Sequence, residues 1–415
     1  MILVTGGAGY LGCHVVSQLL DAGHAVRVID AGWFGWDGLR RMVVDHPGPC
    51  ELLTHDIRVL DDAVFEDVTA ACHLAGLSND PMAEFNAQAN VSINRNATLA
   101  LAAQAKRCGV QRFLFASSCS VYDGLSPDRA WDEDAPVTPT ALYSWAKLMA
   151  EQGLRVLADD TFQVVCLRQA TLWGWSPRMR YDLVVNTMVR DALSLQTVTI
   201  TAPPGTWRPF AHVQDVAGVY QRVLTLPPGV PYSCWNVVAE NVEIRNVAAR
   251  VVGTCQAQWQ ERVSLIGQRN YRVDGECLNI GYPSWHSRSV LTDLSSTSQS
   301  IRAQSFVERY HPRTRNIDWL TLHETWAQEA GIPTWLDDPI EDAAHLHDSL
   351  WTLPEVAERL KIPVSWLYDR SRRSALPGLV SLGKYRRMTE EGVRALIREG
   401  SPAPADDPPH MTTPT

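Results

Sequence analysis

The sequence has no Cys-x-x-Cys pair, and its nine cysteines (13, 50, 72, 108, 119, 166, 234, 255 and 277) are odd in number and scattered. A structural zinc site needs clustered thiolates and a disulfide scaffold needs a dense, even set, so neither is expected, and no metal is. Free, buried thiols in a reducing compartment fit better. No apolar stretch approaches the roughly 18 residues that span a bilayer. The strand-like run Ile2-Leu3-Val4 directly after Met1 leaves no room for a cleavable leader, so a cytoplasmic protein is expected, with no membrane contact. Extreme composition is also lacking: 45% hydrophobic and 20% charged residues exclude disorder, collagen-like repeats and coiled coil as the main architecture. At about 150 residues per domain, the chain holds two or three.

What is present begins with an uneven charge. The net −9 conceals −11 through residue 348 and +4 over 349–400, where ten basic side chains face six acidic ones. Such a change of sign suggests two modules with different partners, the second polyanionic, although a solvated basic face reads the same way.

In the first half, β-rich runs at Ile2–Thr5, Val26–Asp30, Glu51–Thr54, Ala71–Leu74, Arg112–Ser117 and Phe162–Leu167 alternate with helical patterns such as His14–Ala22 and Ala97–Cys108. Alternation of this kind predicts an α/β fold with a doubly wound parallel sheet. The expected organisation is a Rossmann-type domain over 1–175, with segments returning from the second half, and a smaller substrate lobe over 176–332. A Pro- and acid-rich linker over 333–348, a module over 349–400 and a disordered tail over 401–415 follow.

Thr5-Gly6-Gly7-Ala8-Gly9-Tyr10-Leu11-Gly12 follows the first strand and opens a helix, the context a dinucleotide fingerprint requires. Gly6 permits the turn, Gly9 admits a pyrophosphate, Gly12 allows close helix–sheet packing, and the helix N-terminus supplies free N–H groups. Asp30 ends the second strand, where a carboxylate accepts both ribose hydroxyls of NAD and repels a 2′-phosphate. Asp56-Ile57 is placed at the adenine, and His73-Leu74-Ala75-Gly76 ends the fourth strand with small residues that let a cofactor lie flat.

Tyr143-Ser144-Trp145-Ala146-Lys147 sets a phenol and an ammonium four residues apart, on one face of a helix. A nearby ammonium stabilises a phenolate and can hold ribose hydroxyls, so Tyr143 can exchange a proton with a sugar hydroxyl during hydride transfer. Upstream, Ser117-Ser118-Cys119-Ser120 follows the fifth strand, and Ser118 can hydrogen-bond the reacting oxygen, unless it is only a helix cap.

Together these motifs resemble the extended short-chain dehydrogenase/reductase family, in its NAD-dependent nucleotide-sugar epimerase/dehydratase branch. The likeness runs to about residue 320 and includes TGGAGYLG, HLAG, SSCSVY, YSWAK, LRQATLWG and WRPFAHVQDVA. It implies a catalytic set of Ser118, Tyr143 and Lys147, and a cofactor site that adds Tyr10, Leu11, Leu74, Ala75, Asn94 and Ser117 to the residues above. It also implies a nucleotide-sugar substrate contacted by Ser118, Ser120 and Asn186, with Arg178 and Arg180 adding charge and Arg208 and Arg272 gripping the diphosphate through bidentate guanidinium forks. Homodimers through two helices per subunit are common in the family.

Three departures bear on the reaction. The Asp-Glu pair of 4,6-dehydratases is replaced by Cys119 and Ser120, which disfavours ordinary dehydration; Cys119 is either an unusual acid/base or a small buried side chain. Ala97 for glycine and Gly76 for alanine read as mild. The expected chemistry is reversible oxidation of a sugar carbinol, with C4 the expected carbon, leading to epimerisation; keto-sugar reduction or atypical dehydration is the alternative.

The C-terminal module resembles the excisionase or MerR-type winged helix-turn-helix. Thr352-Leu353-Pro354-Glu355 reads as a helix start, Val364–Arg373 as a second helix, Leu379–Met388 as a hairpin and Thr389 as the start of a last helix. The resemblance puts Ser365, Trp366, Tyr368, Arg370, Arg372 and Arg373 on or near a reading helix and Lys384, Arg386 and Arg387 on a wing, so that DNA contact through 349–400 competes with a protein contact. From a different functional class, the chain also reads as a DNA-binding regulator that senses NAD or a sugar nucleotide.

Overall fold

The computed structural model describes residues 1–302 apart from 47, 79–85, 228, 265–268 and 283–284, together with 351–352, 379–382 and 385–388. The chain divides into two compact units, Met1–Asp338 and Pro339–Thr415.

Unit 1 is built on seven parallel strands: β1 (Ile2–Thr5), β2 (Val26–Asp30), β3 (Cys50–Thr54), β4 (Ala70–His73), β5 (Arg112–Ser118), β6 (Gln163–Gln169) and β7 (Tyr232–Val237). Their order, β7-β6-β5-β4-β1-β2-β3, reverses direction between β1 and β4, the switch point where doubly wound sheets bind ligands. Every residue of β1 is buried, as expected for a central strand covered on both faces, and that is why it reads as an unbroken apolar run. Six strands were legible as such, within two residues at each end. The seventh, Tyr232–Val237, arrives from the second half and pairs with β6 in register from Tyr232–Val164 to Val237–Gln169.

Helices cover both faces. The glycine turn opens α1 (Gly12–Asp21), and α2 (Thr98–Arg107) is entered from Ala87–Val91 through a π-helical turn at Ser92–Ala97. The catalytic-motif helix is α3 (Leu142–Leu157). Its apolar residues Ala150 and Leu154 join Phe113, Phe115 and Phe162 in one core layer. On the other face α1 packs on α5 (Val213–Thr225), with Val15, Leu19, Val216 and Val219 all fully buried.

The smaller lobe has its own core of Trp173, Val189, Ile200, Phe210 and Val247, carried on α4 (Val184–Leu195), α6 (Ile244–Cys255) and the strands Thr171–Trp173, Thr197–Ile200 and Trp207–His212. In unit 2 the described residues form a three-stranded antiparallel sheet, in which Tyr385–Met388 lies between Trp351–Thr352 and Leu379–Leu382. The expected helices of the 349–400 module, the 333–348 linker and the 401–415 tail lie outside the described residues.

Candidate active site

The carboxyl ends of β1, β2, β4, β5 and β6 converge on a cavity of about 450 Å³. Its floor is the glycine turn. Gly6 has φ +74°, and a Cβ there would lie 2.6 Å from the Ala75 backbone N; at Gly12 a Cβ would lie 2.1 Å from the Gly6 carbonyl oxygen. Only glycine fits either place. The first turn of α1 leaves its N–H groups and positive dipole end facing the cavity, as a pyrophosphate requires.

Asp30 stands at the rim, one carboxylate oxygen accepting from Ala8 N at 3.1 Å and the other from Gly32 N at 2.9 Å. Burial pushes its pKa up, and these two N–H donors oppose the shift. Asp56 and Ile57 line the same end, with Asp56 paired to Arg58 at 2.7 Å.

Beneath the centre, His73 links β1, β4 and α2. Its Nδ1 lies 2.7 Å from the Thr5 hydroxyl and its Nε2 2.8 Å from the Thr98 hydroxyl. The Thr98 hydroxyl is itself committed to the Asn94 carbonyl at 3.1 Å, so the Nε2–H tautomer of His73 satisfies the chain. Burial lowers the pKa of His73 to about 3 and keeps the ring neutral.

At the opposite end Tyr143 and Lys147 sit one turn apart on α3, facing Ser118 at the end of β5. Lys147 is buried; its ammonium donates to the Ala116 carbonyl at 2.9 Å and lies 5.9 Å from the centre of the Tyr143 ring. Burial lowers its pKa to about 8, with the charge of Glu151 opposing the shift. The Ser118 hydroxyl accepts from Ser120 N at 3.1 Å, which leaves its proton available to a ligand. Thus Ser118 is both a cap of the short helix Cys119–Tyr122 and a cavity residue. The Ser120 hydroxyl lines the cavity, buried and with no hydrogen-bond partner among the described residues. The Ser117 hydroxyl instead donates to Glu151, which is locked by Arg168 at 2.7 Å in a buried ion pair. Cys119 is fully buried, its thiol donates to the Arg168 carbonyl at 3.1 Å, and burial holds its pKa well above the usual thiol range. It is therefore a packing residue and not an acid or base.

The predicted residues Gly6, Gly9, Tyr10, Leu11, Gly12, Asp30, Asp56, Ile57, Leu74, Ala75, Gly76, Ser117, Ser118, Ser120, Tyr143, Lys147, Arg178 and Arg180 all line this one cavity. Four others do not. Asn94, in the π-helical turn, is fully buried and clasps Leu77, accepting from its N at 2.9 Å and donating to its O at 2.8 Å, so it shapes the loop after β4 from behind. A Cβ at Gly76 would lie 2.5 Å from the Asn94 amide oxygen, so the exchange that reads as mild is tightly constrained.

Asn186 is likewise fully buried, holding Gly174 N, the Arg180 carbonyl and the Tyr10 hydroxyl at 3.0–3.1 Å. Its amide ties the segment 174–180 to the glycine turn. Arg272 donates to the Pro127 and Asp128 carbonyls, and Arg208 lies over the Tyr271 ring, 5.4 Å from its centre. The cavity's arginine from this region is Arg269, two residues before Tyr271, which also lines it; Arg269 is held by Asp123 at 3.4 Å and the Ser144 hydroxyl at 3.2 Å. Sequence reasoning passed over Arg269.

Comparison with known proteins agrees with this geometry. Over 337 residues the chain is 28% identical to a UDP-glucose 4-epimerase from Yersinia pestis, covering 69% of this chain and 97% of the relative. Over 223 residues it is 29% identical to UDP-glucuronic acid decarboxylase 1 from Danio rerio, covering 52% of this chain; here the match spans about half of the relative's length, 51%. Among solved structures, the UDP-glucuronic acid 4-epimerase from Bacillus cereus, in complex with UDP-glucuronic acid and NAD, superposes with a TM-score of 0.65 at 20% identity, covering 75% of this chain and 99% of that one, which shows a shared fold. Residues 2–237, more than half of the chain, match the NAD dependent epimerase/dehydratase family. With the glycine turn, Asp30 and the Ser118, Tyr143 and Lys147 cluster gathered in one cavity, the chain belongs to that family and NAD is its cofactor.

Proposed function

We propose that the protein is a nucleotide-sugar epimerase or oxidoreductase that works by transient removal of hydride from a sugar carbinol, expected at C4. The observation that carries this reading is the meeting of Tyr143, Lys147 and Ser118 at the end of the cavity opposite Asp30, the end where a nicotinamide would lie. Bound NAD supplies the hydride acceptor. Tyr143 takes the carbinol proton and later returns it, Ser118 donates a hydrogen bond to the reacting oxygen, and the Lys147 ammonium stabilises the phenolate. Gly6 and Gly12 keep the backbone close to the pyrophosphate, and Asp30 accepts the adenosine ribose hydroxyls.

Among the described residues, the carboxylates lining the cavity are Asp30, Asp56 and Asp182, the last two paired with Arg58 and Arg180 at 2.7 and 2.6 Å. Beside Tyr143 stand hydroxyls and cations, a setting that favours proton exchange on a carbinol over elimination of water. The test is incubation with UDP-, dTDP-, GDP- and CDP-sugars in deuterated water, following bound NADH absorbance and product NMR. Inversion at one carbon with no net change in NAD is the expected result. Stoichiometric cofactor consumption establishes a keto-sugar reductase or dehydrogenase instead, and retention of all activity in Tyr143→Phe overturns the mechanism.

A second reading concerns unit 2. The hairpin Leu379–Leu382/Tyr385–Met388, with Arg386 and Arg387 on its second strand, supports a winged helix-turn-helix that contacts DNA in the cytoplasm. Gel shifts with the full chain at several salt concentrations test it. Arg386→Ala with Arg387→Ala should weaken binding and flatten the salt dependence by about two units of log–log slope. A homodimer through α2 and α3, with Ala100 and Val156 exposed on them, completes the reading and is checked by light scattering.

A further inference from the structure

The segment that enters the small lobe after β6 first crosses the cofactor end of the cavity. Tyr10 donates to the Gly174 carbonyl at 2.6 Å, Ser176 donates to the Tyr10 carbonyl at 2.8 Å, and the His14 ring meets the Trp175 carbonyl at 3.0 Å. The backbone of Pro177 and Arg178 then passes so close to Gly38 that a Cβ there would lie 3.2–3.3 Å from it. Arg178 is thereby set down beside α1 and the loop after β2, far in sequence from either.

Its guanidinium carbon lies over the Phe34 ring, 3.5 Å from the ring centre, and both residues line the cavity with Asp30. Nη1 donates to the Met179 carbonyl at 2.8 Å. No carboxylate lies within ion-pair distance of this half-buried cation among the described residues, whereas Arg180, two residues on, is paired with Asp182 at 2.6 Å. A planar guanidinium stacked on an aromatic face keeps its edge N–H groups in a fixed fork, the arrangement that suits phosphate oxygens. Burial and the neighbouring charge of Arg180 lower the Arg178 pKa to about 10, and its charge acts on Asp30, which marks the adenosine end.

We infer that Arg178 belongs to the cofactor site, where, stacked on Phe34, it clamps a phosphate group on the adenosine half of the bound dinucleotide. The inference rests on NAD as cofactor and not on the proposed reaction. NAD carries no 2′-phosphate, and the carboxylate of Asp30 disfavours one, so the phosphate is the pyrophosphate.

Calorimetry on the nucleotide-stripped full chain with NAD, ADP, NADP and UDP tests this. Arg178→Ala should raise Kd for NAD and ADP at least tenfold, and a loss confined to NADP overturns the inference. UDP binding should stay within twofold. Arg178→Lys, with a point charge but no planar stack, should fall between, and Phe34→Ala should produce a smaller loss of the same pattern. The ligand-free melting temperature of each variant reports whether it folds, and because Phe34 is 42% exposed its truncation opens no core cavity. Unchanged affinity for all three adenosine ligands, or a loss for UDP equal to or larger than theirs, overturns the inference.

Discussion

Lys147 is a cation buried in the wall of the cavity, and burial lowers its pKa to about 8, which makes the ammonium the minority form above that pH. The role proposed for it requires the charged form, so kcat/KM should fall as pH rises through about 8, a limb that Lys147→Met should abolish together with most of the activity. Tyr143→Phe removes the proposed proton carrier and should lower kcat by about 10²- to 10⁴-fold with the fold intact, which circular dichroism would verify. At Gly76, a methyl group meets an Asn94 amide that three hydrogen bonds hold in place, two to Leu77 and one to Asn90. Gly76→Ala should therefore cost about 1–3 kcal/mol by overpacking and weaken NAD binding, measurable by denaturant melts and calorimetry. Three of these residues were legible from motif and spacing. Arg269 was not, because whether a guanidinium meets a cavity depends on which neighbours fill its other side; for Cys119, burial selects the small buried side chain that the sequence already offered beside the acid/base reading.

Among the elements, α3 does two things at once. One turn beyond Lys147 it presents Glu151, which spans to Arg168 on β6 and Ser117 on β5 and so ties the catalytic helix to two adjacent strands at their carboxyl ends. Both ions are buried, so removing one strands the other. Glu151→Ala should destabilise the protein by about 3–5 kcal/mol, read from a shifted denaturation midpoint with the slope unchanged. The π-helical turn before α2 is a second device, since the extra residue turns Asn94 inward to clasp Leu77. Apolar periodicity located α2 and the strands but carries no mark of a one-residue bulge, and it missed β7, whose partner β6 lies some 70 residues earlier in the chain.

For the molecule as a whole, the buried neutral histidines set the acid limit. His73 and His212 have pKa values lowered by burial to about 3, so below the ordinary value of about 6.5 the unfolded chain takes up protons that the native one refuses. Stability should therefore decline between about pH 6.5 and pH 3, each histidine contributing up to about 1.4 kcal/mol per pH unit, as denaturant titrations at pH 7, 6 and 5 would show. Every residue of the cavity belongs to unit 1, so a chain ending at Asp338 should retain NAD affinity within about twofold and lose any affinity for DNA.

By itself the sequence determined six of the sheet's seven strands, the glycine turn, Asp30 and the Tyr143–Lys147 pair, because each depends on spacing within a strand, a turn or a helix, where covalent geometry settles what lies beside what. Tertiary structure alone decided which arginines meet the cavity. Arg178 reaches the adenosine end because Asn186, Tyr10 and Gly38 guide a segment from the other half of the chain across it. Arg272 turns instead to the Pro127 and Asp128 carbonyls, while Arg269 enters. A long, charged side chain is placed by its packing and its partners, and those come from residues that no local pattern connects.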